Sequence, residues 1–321
     1  MFFYCTDNAV RRMSDLYDFI WPTVSVLVYV RSRAHKLKTL SPSQQNEALK
    51  KWLQSPRNLR AEYRTISGLK RASLAKTLIQ DSWRDQEQII ASLVLINIFA
   101  IYEGWLDDLW VELDPGQQLG GRKKFIDAVQ FPYRTRKHED WTWAASQLSS
   151  ARSSDLEACF GARLRSKRLY SAADILSLLK CYRIFKEIRN VLIHRNGKVG
   201  QYLIAAQTDF SSVSTIGNRS IPLATASPVV LGGDIFLSLY GIVGFNDVVL
   251  RIMATLDAEA GVTIFGENAL EHFYASAVVT KSISGNRDST LRKMIHEYGL
   301  WAPTNVRPFE AFLNRRAISI P

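Results

Sequence analysis

Three side chains able to bind an anion and move a proton near neutrality fall within six positions: Arg189, Asn190 and His194. The residues before them repeat apolar side chains at intervals of three and four, through Ile175, Leu178, Tyr182, Phe185, Ile188 and Leu192. That spacing predicts a helix from Ser171 to His194, ended by Gly197 and Gly200. At about 100° per residue, Asn190 and His194 share one face, which continues back through Glu187 and Arg183 and lies opposite the apolar stripe. Arg189 falls close to the stripe, where a guanidinium is costly unless a carboxylate satisfies it. Glu103 and Asp107, one turn apart on another strongly apolar segment, are its candidate partners. The plainer alternative is that cations at a helix end complement its dipole and cap its last carbonyls.

The elements that must hold these residues read as helical almost throughout. Ser14 to Leu40 forms a helix bent at Pro22, Ser41-Pro42 opens a second over Gln44 to Leu53, and Pro56 closes it. Leu74 to Leu113 is one long segment, apolar on nearly every side between Ile89 and Leu106, and Asp114-Pro115-Gly116 stops it. Shorter helical pieces, Arg122 to Val129 and Trp141 to Leu148, belong to an insertion or a peripheral pair. After His194 the pattern changes to β-like pieces, YLIAAQ and SIPLATASPVV, around Gly217-Asn218, which predicts a small hairpin or extended arm. A third strong helix runs from Ile235 to Leu256, and one or two more come after Gly261. The fold class is therefore all-α: a basic helical extension over 1–73, a core over 74–258 with an insertion at about 115–170, and a helical tail over 259–321, forming one compact unit.

Charge is unevenly spread in a chain of net charge +11. Between Arg31 and Lys76 twelve Lys and Arg stand against Glu47 and Glu62, whereas from Thr77 to Asp114 eight carboxylates stand against Arg84. Either the two segments pack together or the basic one faces a polyanion. Surpluses at Arg163 to Arg168 and Arg287 to Lys293 favour phosphate-backbone binding. The apolar run Phe19 to Val30 is interrupted and shorter than the roughly 20 residues that span a bilayer, and no cleavable leader precedes it, so a cytoplasmic protein without membrane association is expected. Cys5, Cys159 and Cys181 are odd in number and distant from histidines, which gives no disulfide framework or zinc site. His35, His138, His272 and His296 have no ligand spacing around them, and Gly120 to Lys124 lacks the order of a phosphate loop. Among the eight tryptophans, most suit a core; Trp141 and Trp143, beside Arg134, Arg136 and Lys137, are the ones that could stack on bases.

The string Phe185-Lys186-Glu187-Ile188-Arg189-Asn190-Val191-Leu192-Ile193-His194-Arg195-Asn196-Gly197, preceded by a buried helix carrying Ile101 to Leu106, resembles the HEPN superfamily of ribonucleases. The family motif is an Arg, usually followed by a polar residue, with a His a few positions on; here it reads Arg-Asn-Val-Leu-Ile-His. The Arg-Asn-Gly downstream, an extended arm and a further helix are similar to prokaryotic members of abortive-infection and toxin systems. The likeness covers Leu74 to Ala258 in element order, and its specific part is roughly a dozen residues.

The resemblance implies a HEPN-like bundle that cleaves single-stranded RNA without metal or cofactor, by attack of a 2′-hydroxyl on its own phosphate to leave a cyclic phosphate. Arg189 would stabilise the phosphorane, Asn190 orient the phosphate or the imidazole, and His194 transfer a proton, with Glu103 and Asp107 in support and Arg195, Asn196 and Lys198 on the RNA. One motif histidine per chain implies a homodimer with a composite site, and a toxin or anti-phage role implies an antitoxin or regulatory partner. Two other readings stay open: a non-catalytic module of this kind that holds a nucleotide or RNA, and a helical scaffold docking an acidic partner.

Overall fold

The computed structural model describes residues 1–53, 73–114, 121–132, 139–211, 215–216, 219–220, 229–276, 286–300, 302–303 and 305–318. The order is α1 (Tyr4–Ala34), α2 (Pro42–Leu53), a π-helical turn (Lys76–Gln80), α3 (Trp83–Leu113), α4 (Arg122–Ala128) and α5 (Trp141–Ser150). Then come α6 (Ser154–Leu156), α7 (Ala162–Arg165), α8 (Ile175–His194), α9 (Gln201–Ser211), a two-rung hairpin of β1 (Thr215–Ile216) and β2 (Arg219–Ser220), α10 (Leu239–Gly261), α11 (Ile264–Ser276), α12 (Arg287–Glu297) and α13 (Arg307–Arg315). The all-α class is thus observed. The described residues fall into two compact units, Met1–Met13 with Ser92–Pro321, and Ser14–Ala91.

Several boundaries depart from the sequence reading for local reasons. The segment expected as one helix from Leu74 breaks at Asp81, whose backbone is extended (φ −65°, ψ 140°). Ser82 restarts it: its hydroxyl accepts from the Asp85 amide at 3.1 Å and donates to the Asp85 carboxylate at 2.7 Å, a reciprocal cap. YLIAAQ is helical, not β-like. It lies within α9, whose buried residues Leu203, Ala206 and Phe210 have the spacing of three and four that suits a helix. A two-rung hairpin pairs Thr215 with Ser220 and Ile216 with Arg219, far shorter than the expected β-like pieces; residues 217–218, and 221–228, which are most of SIPLATASPVV, lie outside those described. Helix α10 starts at Leu239 because Ser238 caps the Gly241 amide at 3.0 Å. Among the described residues, three helices come after Gly261, where one or two were expected.

In the larger unit, α8 packs on both α9 and α10. Phe185 stacks on Phe245 at 4.2 Å and 12°, while Phe99 and Tyr102 of α3 meet Tyr182 of α8 at 5.4 and 5.0 Å. This aromatic cluster fixes the motif helix against α3 and α10. The start of α1 is held by carboxylates. Buried Asp257 accepts from the Phe2 and Phe3 amides at 2.6 and 2.9 Å, and Glu112 from the Cys5 amide at 2.9 Å. Anionic acceptors at a helix N-terminus satisfy amides that have no partner within the helix. Burial still pushes both carboxyls above the usual range, the amide bonds working against it.

In the smaller unit, Ala34, Leu49, Leu74, Leu78 and Ile79 form a core. Buried Arg31, part of the basic segment, turns inward and donates to the Thr77 and Asp81 carbonyls at 2.8 Å each. Arg33, Lys36, Lys38 and Lys51 are exposed and Lys50 is half-buried. Helices α3 and α10 are long and apolar enough to cross a membrane by length and composition; 50% and 67% of their most apolar windows are buried within the protein.

Candidate functional site at the end of helix α8

The last turns of α8 present Glu187, Asn190 and His194 at i, i+3 and i+7, one face of the helix. Beyond His194 the chain turns sharply back. Asn196 (φ 48°) and Gly197 (φ 78°) adopt left-handed conformations, and the Arg195 and Gly197 amides both return to the Val191 carbonyl, at 3.0 and 3.1 Å. The turn is then pinned from across. Val199 N donates to Gly233 O and Gly232 N to Val199 O, each at 3.0 Å, Ile235 N donates to Gly197 O at 3.1 Å, and Lys198 pairs with Asp234 at 2.8 Å. This pinning sets the start of α9 beside the end of α8.

Between them is a pocket of about 350 Å³, lined by Glu187, Asn190, His194, Arg195, Gly200 and Tyr202 with two aliphatic neighbours. His194 is exposed at it; Glu187 and Asn190 are half-buried. The Arg195 guanidinium lies against the Gly200 Cα so closely that a Cβ there would collide with it. Glycine at 200 is what lets that cation fold into the pocket. Glu187 is itself held by Arg183, one turn back, at 3.2 Å. An imidazole, an amide, a carboxylate and a guanidinium therefore surround a volume in the range of small-ligand sites.

Arg189 is not among the lining residues. Five positions before His194, it projects about 140° away from it around the helix. Its guanidinium stands 3.6 Å from Glu103 and 5.8 Å over the Phe99 ring, and its Nε is buried without a partner among the described residues. Of the two carboxylates expected to serve it, Glu103 does so. Asp107 instead pairs with Arg122 at 2.7 Å, because a turn further along α3 brings it to the start of α4. On the same side of α8, Lys186 donates to Gln130 at 2.6 Å and sits 5.0 Å over Phe131. Its burial lowers the ammonium pKa, a shift that Glu103 opposes.

No family model, curated protein or solved structure matches this chain.

The structure thus brings together Asn190, His194 and Arg195, and pairs Arg189 with Glu103 on another side of the helix. Asn196 shapes the turn, and Lys198 is engaged with Asp234 while remaining more than half exposed. Glu187 and Tyr202 are pocket residues outside the set expected from the sequence. Glu187 was readable from its place on the Asn190–His194 face, but Tyr202 was hidden by the strand reading of its segment. Elsewhere, Arg165 of the basic run at Arg163 to Arg168 is committed to Glu157 and Glu259, and Arg287 to Glu310 at 2.6 Å. Among the described residues no group of three or more His, Cys, Asp or Glu could hold a metal ion.

Proposed function

We propose that this chain is a metal-independent RNA endonuclease whose reaction takes place in the pocket at the end of α8. The observation that carries the reading is the convergence there of His194, Asn190, Glu187 and Arg195. In the proposed reaction the 2′-oxygen attacks the adjacent phosphorus, the bond from phosphorus to the 5′-oxygen breaks, and a 2′,3′-cyclic phosphate and a free 5′-hydroxyl result. One group takes the 2′-hydroxyl proton and another gives a proton to the departing 5′-oxygen; an imidazole suits either task at neutral pH. The cation for the crowded phosphate is Arg195, which shares the pocket with His194, and Asn190 orients a non-bridging oxygen. Arg189 acts through the helix, clamping α8 to Glu103 and Phe99 of α3.

The second proton-transfer group is His194 of a two-fold partner, as the resemblance to the HEPN superfamily implies, or Glu187 of the same chain. Glu187→Gln and a mass measurement decide: an active monomer disabled by the substitution assigns Glu187, and an active dimer indifferent to it assigns the partner. The same resemblance supports a cytoplasmic toxin or defence role restrained by a partner protein. Expression of wild type would then arrest a host, while His194→Ala would not; equal toxicity of both removes that role.

The divergence of Arg189 from His194 favours a second reading, in which the pocket holds RNA or a nucleotide without cutting it. Incubation of purified protein with single-stranded RNA in excess EDTA separates the two. Cyclic-phosphate ends made by wild type and not by His194→Ala support cleavage, whereas tight binding without products supports the module.

A further inference from the structure

A second cavity in the larger unit, of about 430 Å³, opens between α3, α4 and α5. Two indoles line it, Trp110 and Trp143, with Phe125 5.4 Å from the Trp110 ring and Leu148 and Phe265 beside them. Its polar groups are few: the exposed ammonium of Lys124 and the exposed amide of Gln147. Both tryptophans are only half-buried, so their indole surface remains accessible from the cavity, whereas Trp105 and Trp141 are buried in the packing. The volume suits a base with its ribose.

We propose that this cavity is a nucleobase-binding site that seats one base of a single-stranded RNA, a reading that rests on the chain acting on RNA. Flat aromatic walls offer stacking to any base, the interaction by which single strands are held without sequence readout. Among the described lining residues Lys124 is the one cation and there is no carboxylate, which suits a ligand that carries one phosphate per aromatic ring. The Gln147 amide can both donate and accept, as the edge of a base requires.

The cavity is also placed to serve the motif helix. Glu103, Asp107 and Trp110 lie at i, i+4 and i+7 on α3, so Trp110 is about 10 Å along the helix from the Arg189 contact. The two carboxylates on that face are each matched by an arginine, Arg189 at 3.6 Å and Arg122 at 2.7 Å.

The test uses the full chain and a fluorescein-labelled 2′-O-methyl RNA octamer, which cannot undergo 2′-hydroxyl attack, with fluorescence anisotropy and tryptophan quenching as readouts. Trp143→Leu is expected to weaken binding roughly ten- to hundredfold, the worth of one stacked base. Lys124→Glu, at an exposed position, is expected to weaken binding and to lower the slope of log affinity against log salt by about one. Circular dichroism confirms that each variant is folded. Unchanged affinity in both folded variants overturns the proposal. So does quenching by indole but not by the octamer or adenosine monophosphate, which would assign the cavity to an apolar partner. Cleavage of unmodified RNA is scored separately, so a protein that seats the base without cutting loses the nuclease reading alone, and one that cuts with Trp143→Leu binding normally loses the base site alone.

Discussion

Replacing Arg189 and Arg195 by methionine, one at a time, discriminates the arrangement seen here from one in which both arginines face the phosphate. Arg189 stands 3.6 Å from Glu103, with the two side chains 26% and 37% exposed, so solvent screens the pair and its worth is about 0.5 kcal/mol. Its position 5.8 Å over Phe99 adds about 0.5–1 kcal/mol. Against these, methionine retains much of the packed stem and removes a buried Nε that has no partner, which offsets about 1 kcal/mol. The net change is within about 1 kcal/mol, or under about 4 °C in Tm for a unit of this size. Cleavage should fall only by the few-fold expected of a slightly loosened helix. Arg195→Met should do the reverse: Tm within about 2 °C, since the residue is exposed, and a loss of roughly 10²–10³ in rate if its guanidinium stabilises the phosphorane. Differential scanning calorimetry and a fluorogenic RNA assay read both quantities. A hundredfold loss from Arg189→Met at unchanged Tm, with Arg195→Met harmless, would refute the reasoning.

The same geometry has other consequences. Gly200→Ala would push the Arg195 guanidinium out of the pocket, so RNA cleavage is expected to fall ten- to hundredfold; the melting curve should barely move, because the obstructed group is the end of a flexible side chain. Phe245→Ala, which empties the stack on Phe185, is expected to cost about 3–5 kcal/mol and lower Tm by about 10 °C in a thermal melt. Acid titration reads a third site. Hydrogen bonds from Arg165 hold Glu157 below the usual carboxylate range; burial pushes Glu259 up, but Arg165, Tyr170 and Arg152 outweigh it and leave Glu259 lowered too. A depressed folded pKa contributes stability above the unfolded value of about 4.3 and loses it as pH falls through the folded value. The stability gap between wild type and Arg165→Met in urea should thus be widest near neutrality and close as pH drops below about 4; a gap independent of pH contradicts the network.

The part of the structure readable from the chain alone was the part written in local periodicity. The stripe from Ile175 to Ile188 predicted α8, and the same 100° arithmetic placed Arg189 apart from the Asn190–His194 face and near the apolar side, where Phe99 now lies. The break at Asp81 was available in the Ser82-Trp83-Arg84-Asp85 cap, yet the apolar run through Leu78 and Ile79 masked it. Tyr202-Leu203-Ile204 alternated too briefly to distinguish a strand from the first turn of α9; packing of Leu203, Ala206 and Phe210 decided the outcome. Apart from the Arg189–Glu103 pair, which a costly arginine near an apolar stripe pointed to, contacts between distant segments were not legible. Nothing near Asp257 announces the Phe2 and Phe3 amides, more than 250 residues earlier, and nothing near Asp107 announces Arg122. The inward turn of Arg195 depends on two left-handed residues and a glycine five positions on, a geometry of the folded turn rather than of any pattern in composition.

The most direct measurement is product analysis after wild type and His194→Ala are each incubated with a single-stranded RNA in excess EDTA. Fragments ending in 2′,3′-cyclic phosphate are expected from wild type, with a rate at least a hundredfold lower from the variant. Intact RNA with wild type, equal cutting by both proteins, or cutting that EDTA abolishes would contradict the nuclease reading.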